Sequence, residues 1–234
     1  MFKSKLSRCL NHKHLDNKIL VSKKNYTWRM CRLCGLIYIK VKNKNNKYYQ
    51  NKSKIFDNFN EGNYYEFKSI LKMLTKFNLI LNRKKWLDFG CGAGRELEIA
   101  KQHGLDTFGV ELNKKLFSKC KNKKLKVVNN LKKIKGSYNF IFTRNVLKYS
   151  ENFPLIFSKL SGHLKNKGIF IIRDKYFDYM QIKKMMNDNK GSLASSTFLY
   201  KNTILNYLKL YNYEIFFKKF YLDESFLIIA KKNK

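Results

Sequence analysis

Two spacings of apolar residues alternate along this chain, one near 3.6 and one near 2, and the alternation predicts its elements. Over Glu66–Asn78, Phe67, Ile70, Leu71, Leu74 and Phe77 share one helical stripe, so a helix packing by that face is expected. The aromatic stretch Phe59–Tyr65 before it reads as a turn. Trp86, Leu87 and Phe89 form the short apolar run of a buried strand, Lys85–Phe89, and Arg95–Gln102 is helix-forming. Strands follow at Thr107–Val110, Lys126–Asn129, Tyr138–Thr143 and Gly168–Arg173. Helices are expected at Asn113–Lys121 and at Phe153–Leu164, where Pro154 suits a first turn, with Lys165–Gly168 turning into the next strand. Phe177–Asn189 and Thr203–Leu210 read as helices around a polar loop, Gly191–Ser196. Glu214–Tyr221 and Ser225–Ala230, joined at Leu222-Asp223-Glu224, read as a closing hairpin. Strands and helices in alternation predict an α/β fold with a mostly parallel sheet covered on both faces, its last strand reversed.

The first sixty residues have a different pattern. Cys9-x2-His12 and Cys31-x2-Cys34 are separated by eighteen residues, a spacing that suits a tetrahedral zinc ribbon. Gly35 follows the second pair where a turn needs freedom, and Tyr26–Met30 and Leu36–Ile39 are the expected flanking strands. His14 is a rival to His12 as fourth ligand. Val41–Asn60 is rich in Lys and Asn. The expected organisation is therefore a ribbon at 1–42, a linker at 43–60 and the main domain at 61–234.

The chemistry is concentrated where the strand Lys85–Phe89 meets its helix. Gly90, Gly92 and Gly94 give a tight turn that a ligand can approach closely, and the helix end after it presents free N–H groups and a positive dipole. Glu111 ends the next strand, 21 positions after Gly90, where an acid bonds ribose hydroxyls in doubly wound folds. A nicotinamide fingerprint needs glycine where Arg95 stands. The pattern is instead acid-x-G-x-G-x-G over Asp88–Gly94. It resembles motif I of the class I S-adenosylmethionine (SAM) methyltransferases, and specifically a subfamily with an N-terminal zinc ribbon. The resemblance covers most of the chain: Arg32–Tyr38, motif I, Asn145–Tyr149, Leu160–Ile172 and Ile228–Lys231.

That resemblance implies a Rossmann-like, seven-stranded, mostly parallel sheet with a reversed C-terminal hairpin. It places Asp88, Gly90, Gly92 and Gly94 along the methionine part of SAM, Glu111 on the ribose and Leu112 on adenine. Where relatives have Asp near adenine, Asn129 or Asn130 stands here. Thr143, Arg144 and Asn145 end strand four and are expected to floor the acceptor space. After that strand many relatives carry Glu-His, and this chain carries Lys148-Tyr149. Tyr149 becomes the candidate base or orienting hydroxyl, against a plain packing role. Arg144 either clamps an anionic acceptor or pairs with a nearby acid. Cys91 reads as a small buried residue, and His103 and His163 as surface or helix-end residues.

Composition narrows the acceptor. The net charge is +34, from 50 Lys+Arg against 16 Asp+Glu, which on its own suggests an anionic partner such as RNA. Only seven of the cations are Arg, the residue favoured for phosphate forks and base edges, and 43 are Lys. The Lys excess accompanies abundant Asn, Ile, Phe and Tyr, the residues of A+T-rich codons. Pro154 is the only proline, so no Asn/Asp-Pro-Pro-aromatic motif exists for methylating exocyclic base amines, and no Pro-Cys exists for pyrimidine C5. The expectation is a SAM-dependent transferase acting on oxygen or carbon of a small molecule or saccharide. An RNA methyltransferase and a non-catalytic ribbon-bearing interaction module are the alternatives. Five cysteines, an odd number, argue against a disulfide framework. With no apolar run of membrane-spanning length and no signal-peptide pattern, a cytoplasmic location is expected.

Overall fold

The structure, a computed structural model, describes residues 17–22, 26–32, 35–41, 61–149, 152–177, 197–198 and 201–233. Cys9, His12, His14, Cys34, the linker 43–60, the loop 191–196 and all but the first residue of the expected helix 177–189 lie outside the described residues. In chain order the elements are β1 Asn17–Ser22, β2 Tyr26–Cys31, β3 Ile37–Val41, α1 Glu61–Lys76, β4 Lys85–Phe89, α2 Arg95–Gln102, β5 Asp106–Val110 and α3 Lys114–Asn122. There follow β6 Val127–Val128, β7 Tyr138–Arg144, α4 Phe153–His163, β8 Leu164–Lys175, β9 Thr197–Phe198, α5 Lys201–Leu210, β10 Tyr213–Phe220 and β11 Ser225–Lys232. Single 3-10 turns occupy Leu131–Lys133 and Leu147–Tyr149.

Seven strands form one sheet in the order β10-β11-β8-β7-β4-β5-β6. β4 runs parallel to β5 and β7, β5 runs parallel to β6, and β10 and β11 pair antiparallel. This is the expected mostly parallel sheet with a reversed terminal hairpin. The burial of β4 explains its central place: every residue after Lys85 is buried, as a strand covered on both faces requires.

The chain divides into two compact units. One comprises the described residues of Lys47–Arg144 and Gly162–Ile171. Its core is aromatic: Phe67 of α1 meets Trp86 of β4 and Phe142 of β7 edge-on, with ring centroids 5.8 and 5.1 Å apart. The other comprises the described residues of Met1–Asn46, Asn145–Ser161 and Ile172–Lys234. Here Phe153 and Phe157 of α4 pack on Tyr207 of α5, and Tyr213 donates its hydroxyl hydrogen to Ser161 Oγ at 3.0 Å. A second sheet, β1-β2-β3-β9, belongs to this unit. The expected strands of the ribbon are thus present as the antiparallel β2–β3 hairpin, and β3 also pairs with β9 from far along the chain.

Some boundaries differ from expectation. α1 starts at Glu61, so the aromatic stretch read as a turn is largely its first turns. Phe77 lies beyond its end and is 37% exposed, which leaves Phe67, Ile70, Leu71 and Leu74 as the buried stripe. β8 begins at Leu164, with Lys167 at φ +62° inside the stretch read as a turn. β1 and the two-residue β9 were not foreseen, because neither carries an apolar alternation long enough to read.

Candidate cofactor site

The site is assembled at the carboxyl ends of β4, β5, β6 and β7, where parallel sheets open to ligands. Gly90, Gly92 and Gly94 have φ of +80°, +56° and +80°, the left-handed region in which glycine alone carries no Cβ penalty. The Gly90 and Cys91 N–H groups both donate to the Val110 carbonyl, at 2.8 and 3.1 Å, and hold the turn against the end of β5. An added Cβ at Gly92 meets nothing within 4 Å, so the turn faces open space there. α2 then starts at Arg95 with no side-chain cap on its first N–H groups.

Glu111 faces this turn. Its Oε2 accepts the Gly92 N–H at 2.9 Å and its Oε1 accepts the Asn113 N–H at 2.7 Å. Burial pushes its carboxyl above the ordinary range, and these backbone donors pull it back. Each oxygen keeps further lone-pair capacity toward a ligand. Leu112 beside it is 58% exposed, an apolar side chain presented outward at the rim. Asn129 and Asn130 are exposed at the end of β6; Asn130 caps the following 3-10 turn through the Lys132 N–H at 2.9 Å, and Asn129 accepts from Lys133 Nζ at 3.3 Å.

Two buried polar atoms beside the turn have no hydrogen-bond partner, Asp88 Oδ2 and Thr143 Oγ1. Asp88 precedes the turn on β4, and Thr143 pairs with Phe89 across β4 and β7. Burial, with Glu96 beside it, holds the Asp88 carboxyl well above the usual carboxylate range. The structure thus gathers Asp88, the three glycines, Glu111, Leu112, Asn129, Asn130 and Thr143 in one unit.

Arg144, at the end of β7, turns to acids rather than to open space. Its Nε lies 2.9 Å from Glu96 Oε1 and its Nη2 3.5 Å from Glu66 Oε2. Of the two expectations for Arg144, pairing with a nearby acid is the geometry found. Tyr149 lies in the other unit, in the turn Leu147–Tyr149, and burial keeps its phenol above the ordinary value. Its neighbour Lys148 is buried with Nζ 3.9 Å from Asp174 Oδ1. Asp174 also accepts the N–H groups of Leu147 at 3.0 Å and Lys175 at 2.8 Å.

Sequence reasoning missed the polar partners. Cys120 of α3 donates its thiol hydrogen to the Gly92 carbonyl at 3.2 Å, and its side chain meets Cys91, whose thiol that contact and burial push up. Glu66, Glu96 and Asp174 were not singled out either, since each gains its role from an element distant in sequence. No group of three or more His, Cys, Asp and Glu suited to a metal occurs among the described residues. Among them no helix is long and apolar enough to cross a membrane.

A methyltransferase domain family matches residues 59–215. No curated protein matches the chain by sequence. Solved structures share its fold. The magnesium protoporphyrin IX methyltransferase of Synechocystis PCC 6803, with SAH bound, is 16% identical at a TM-score of 0.59, over 74% of this chain and 84% of that one. An S-adenosylmethionine-dependent methyltransferase of Clostridium acetobutylicum is 16% identical at 0.54, over 72% and 91%. Another from Mesorhizobium loti is 16% identical at 0.56, over 69% and 96%. With the family match over most of its length and a fold common to these enzymes, this chain belongs to the methyltransferase domain family.

Proposed function

We propose that SAM lies with its methionine end along Asp88–Gly94, its ribose on Glu111 and its adenine between Leu112 and the Asn129–Asn130 pair. The open space at Gly92, faced by a carboxylate whose orientation two backbone donors fix, is the observation that carries this reading. The unpartnered Asp88 Oδ2 and Thr143 Oγ1 fit a ligand that brings polar groups of its own. Bound SAM supplies an electrophilic methyl on a sulfonium, whose leaving group departs as a neutral thioether and needs no acid. The chain's task is alignment and exclusion of water. A base is needed only where the acceptor loses its proton during attack. Tyr149, whose phenol burial raises above its ordinary value, suits an orienting hydroxyl better than a base.

The acceptor in this proposal is a small molecule or saccharide, methylated at oxygen or carbon. The scarcity of Arg among 50 cations and the missing base-amine motif support it over RNA. Methyl-labelled SAM, incubated separately with the protein plus cell metabolites and the protein plus total RNA, decides between them. Label in the small-molecule fraction at both low and physiological salt is expected. Label in RNA that falls steeply as salt rises would move the acceptor to nucleic acid.

We further propose a structural zinc held by Cys9, His12, Cys31 and Cys34. Cys31 ends β2 and is 2% exposed. Its carbonyl accepts the Gly35 N–H at 2.9 Å, its N–H donates to the Leu36 carbonyl at 2.9 Å, and Gly35 has φ +71°. That tight closure fits a metal-binding knuckle. Four protein ligands leave no open position, so the zinc would order the ribbon rather than catalyse. About one zinc per chain in elemental analysis is expected; none, with all four side chains freely reactive, would remove the proposal.

A further inference from the structure

Arg144 joins three elements that meet at the lip of the glycine turn. It follows Thr143, whose strand partner Phe89 leads directly into Gly90. Its Nε reaches Glu96, two residues past Gly94 in the first turn of α2. Its Nη2 and Nη1 reach Glu66 Oε2 and the Asn63 carbonyl, both at 3.5 Å, in the first half of α1. The guanidinium also sits 5.7 Å from the Phe142 ring, which Phe67 of α1 meets from elsewhere. The Arg144 and Glu96 side chains are only 9% and 10% exposed, so water hardly screens them.

The division of labour along α1 explains what this arrangement does. Its buried residues, Phe67, Ile70, Leu71 and Leu74, all lie from Phe67 onward and anchor that part to the core. The turns before Phe67 have no buried apolar residue, and Arg144 ties them down through Glu66 and Asn63. Arg144 therefore links the start of α1 to the start of α2, which follows the glycine turn directly. Its planar fork allows one cation to serve both carboxylates, which a Lys ammonium cannot do with the same geometry.

We propose that Arg144 is a positioning residue for the cofactor: with Glu96 and Glu66 it sets the first turn of α2 and locks the start of α1 to it, so that SAM affinity depends on this triad. The inference rests on the cofactor reading above. The acceptor has no part in it.

The test is calorimetric titration with SAH of the native protein, Glu66→Gln, Arg144→Lys and the double variant, each also melted without ligand. Glu66 is 24% exposed at the rim, so Glu66→Gln is expected to fold, with its Tm within about 2 °C of native. We expect it to weaken SAH binding several-fold, and Arg144→Lys to weaken it by about tenfold or more. The double variant should bind like Arg144→Lys alone, because Glu66 acts through Arg144. Native affinity in both single variants would overturn the inference, as would affinity losses that only track falling Tm. Failure of the native protein itself to bind SAH would instead overturn the cofactor reading, and this inference with it.

Discussion

Gly92 and Gly94 are two positions apart, and the structure asks different things of them. A Cβ at Gly94 would collide with Leu125 Cδ1 and lie 3.1 Å from Cys120 Sγ, with φ at +80°. Gly94→Ala is expected to cost about 2–4 kcal/mol of stability, the sum of a left-handed backbone and overpacking. A Cβ at Gly92 meets nothing within 4 Å, so Gly92→Ala should cost only about 1–2 kcal/mol of backbone strain while occupying cofactor space. Urea unfolding and SAH titration of both variants check this: the larger stability loss belongs at Gly94, and at Gly92 affinity should fall beyond any loss of stability. Asp88 gives a pH prediction. Burial, then Glu96, then Glu111 raise its carboxyl, against Arg144, so the folded chain holds that proton more tightly than the unfolded chain. Folding is therefore penalised once the pH exceeds the unfolded carboxyl's range, and the penalty disappears below that range. Asp88→Asn should raise Tm relative to native at about pH 8, and the gap should close toward about pH 4. A gap that does not change with pH would contradict the raised carboxyl. At this scale the glycine turn, and an acid at the end of the next strand, were legible because a local pattern carries them. Which acids would pair with Arg144 was not, because Glu66 and Glu96 reach it from two other elements.

Elements with a strong period were legible and their ends were less so. α1 extends five residues earlier than its apolar stripe suggests, and its added turns are held by polar contacts from β7 that periodicity cannot register. β9 is two residues long and exists by pairing with β3, a contact between distant parts of the chain. The Leu147–Tyr149 turn is fixed in the same hidden way, by Asp174 at the end of β8. Removing that carboxylate leaves the buried Leu147 N–H and the buried Lys148 without their acceptor, so Asp174→Ala should cost about 3–5 kcal/mol. Lys148→Met leaves Asp174 with both backbone donors and should cost clearly less. Equal losses in urea unfolding would show that the ion pair, rather than the backbone donors, fixes the turn.

Over the whole molecule, the order of strands and helices was enough to give the mostly parallel sheet and its reversed hairpin, and the family resemblance its seven strands. β2 and β3, the strands expected to flank the Cys31–Cys34 pair, belong to a unit formed mostly from the C-terminal part of the chain, and the β3–β9 pairing that joins them to it has no local pattern to read. Net charge carries no information on fold, and its meaning for the acceptor is left to the labelling experiment. The proposed function depends on cofactor binding at the glycine turn with the ribose on Glu111. Calorimetric titration of SAH into the native protein and Glu111→Ala tests it most directly. One site per native chain is expected, with a loss of about tenfold or more in the variant, from a charged acceptor removed from two hydroxyls. Equal affinity in the two proteins, with the variant still folded, would contradict it.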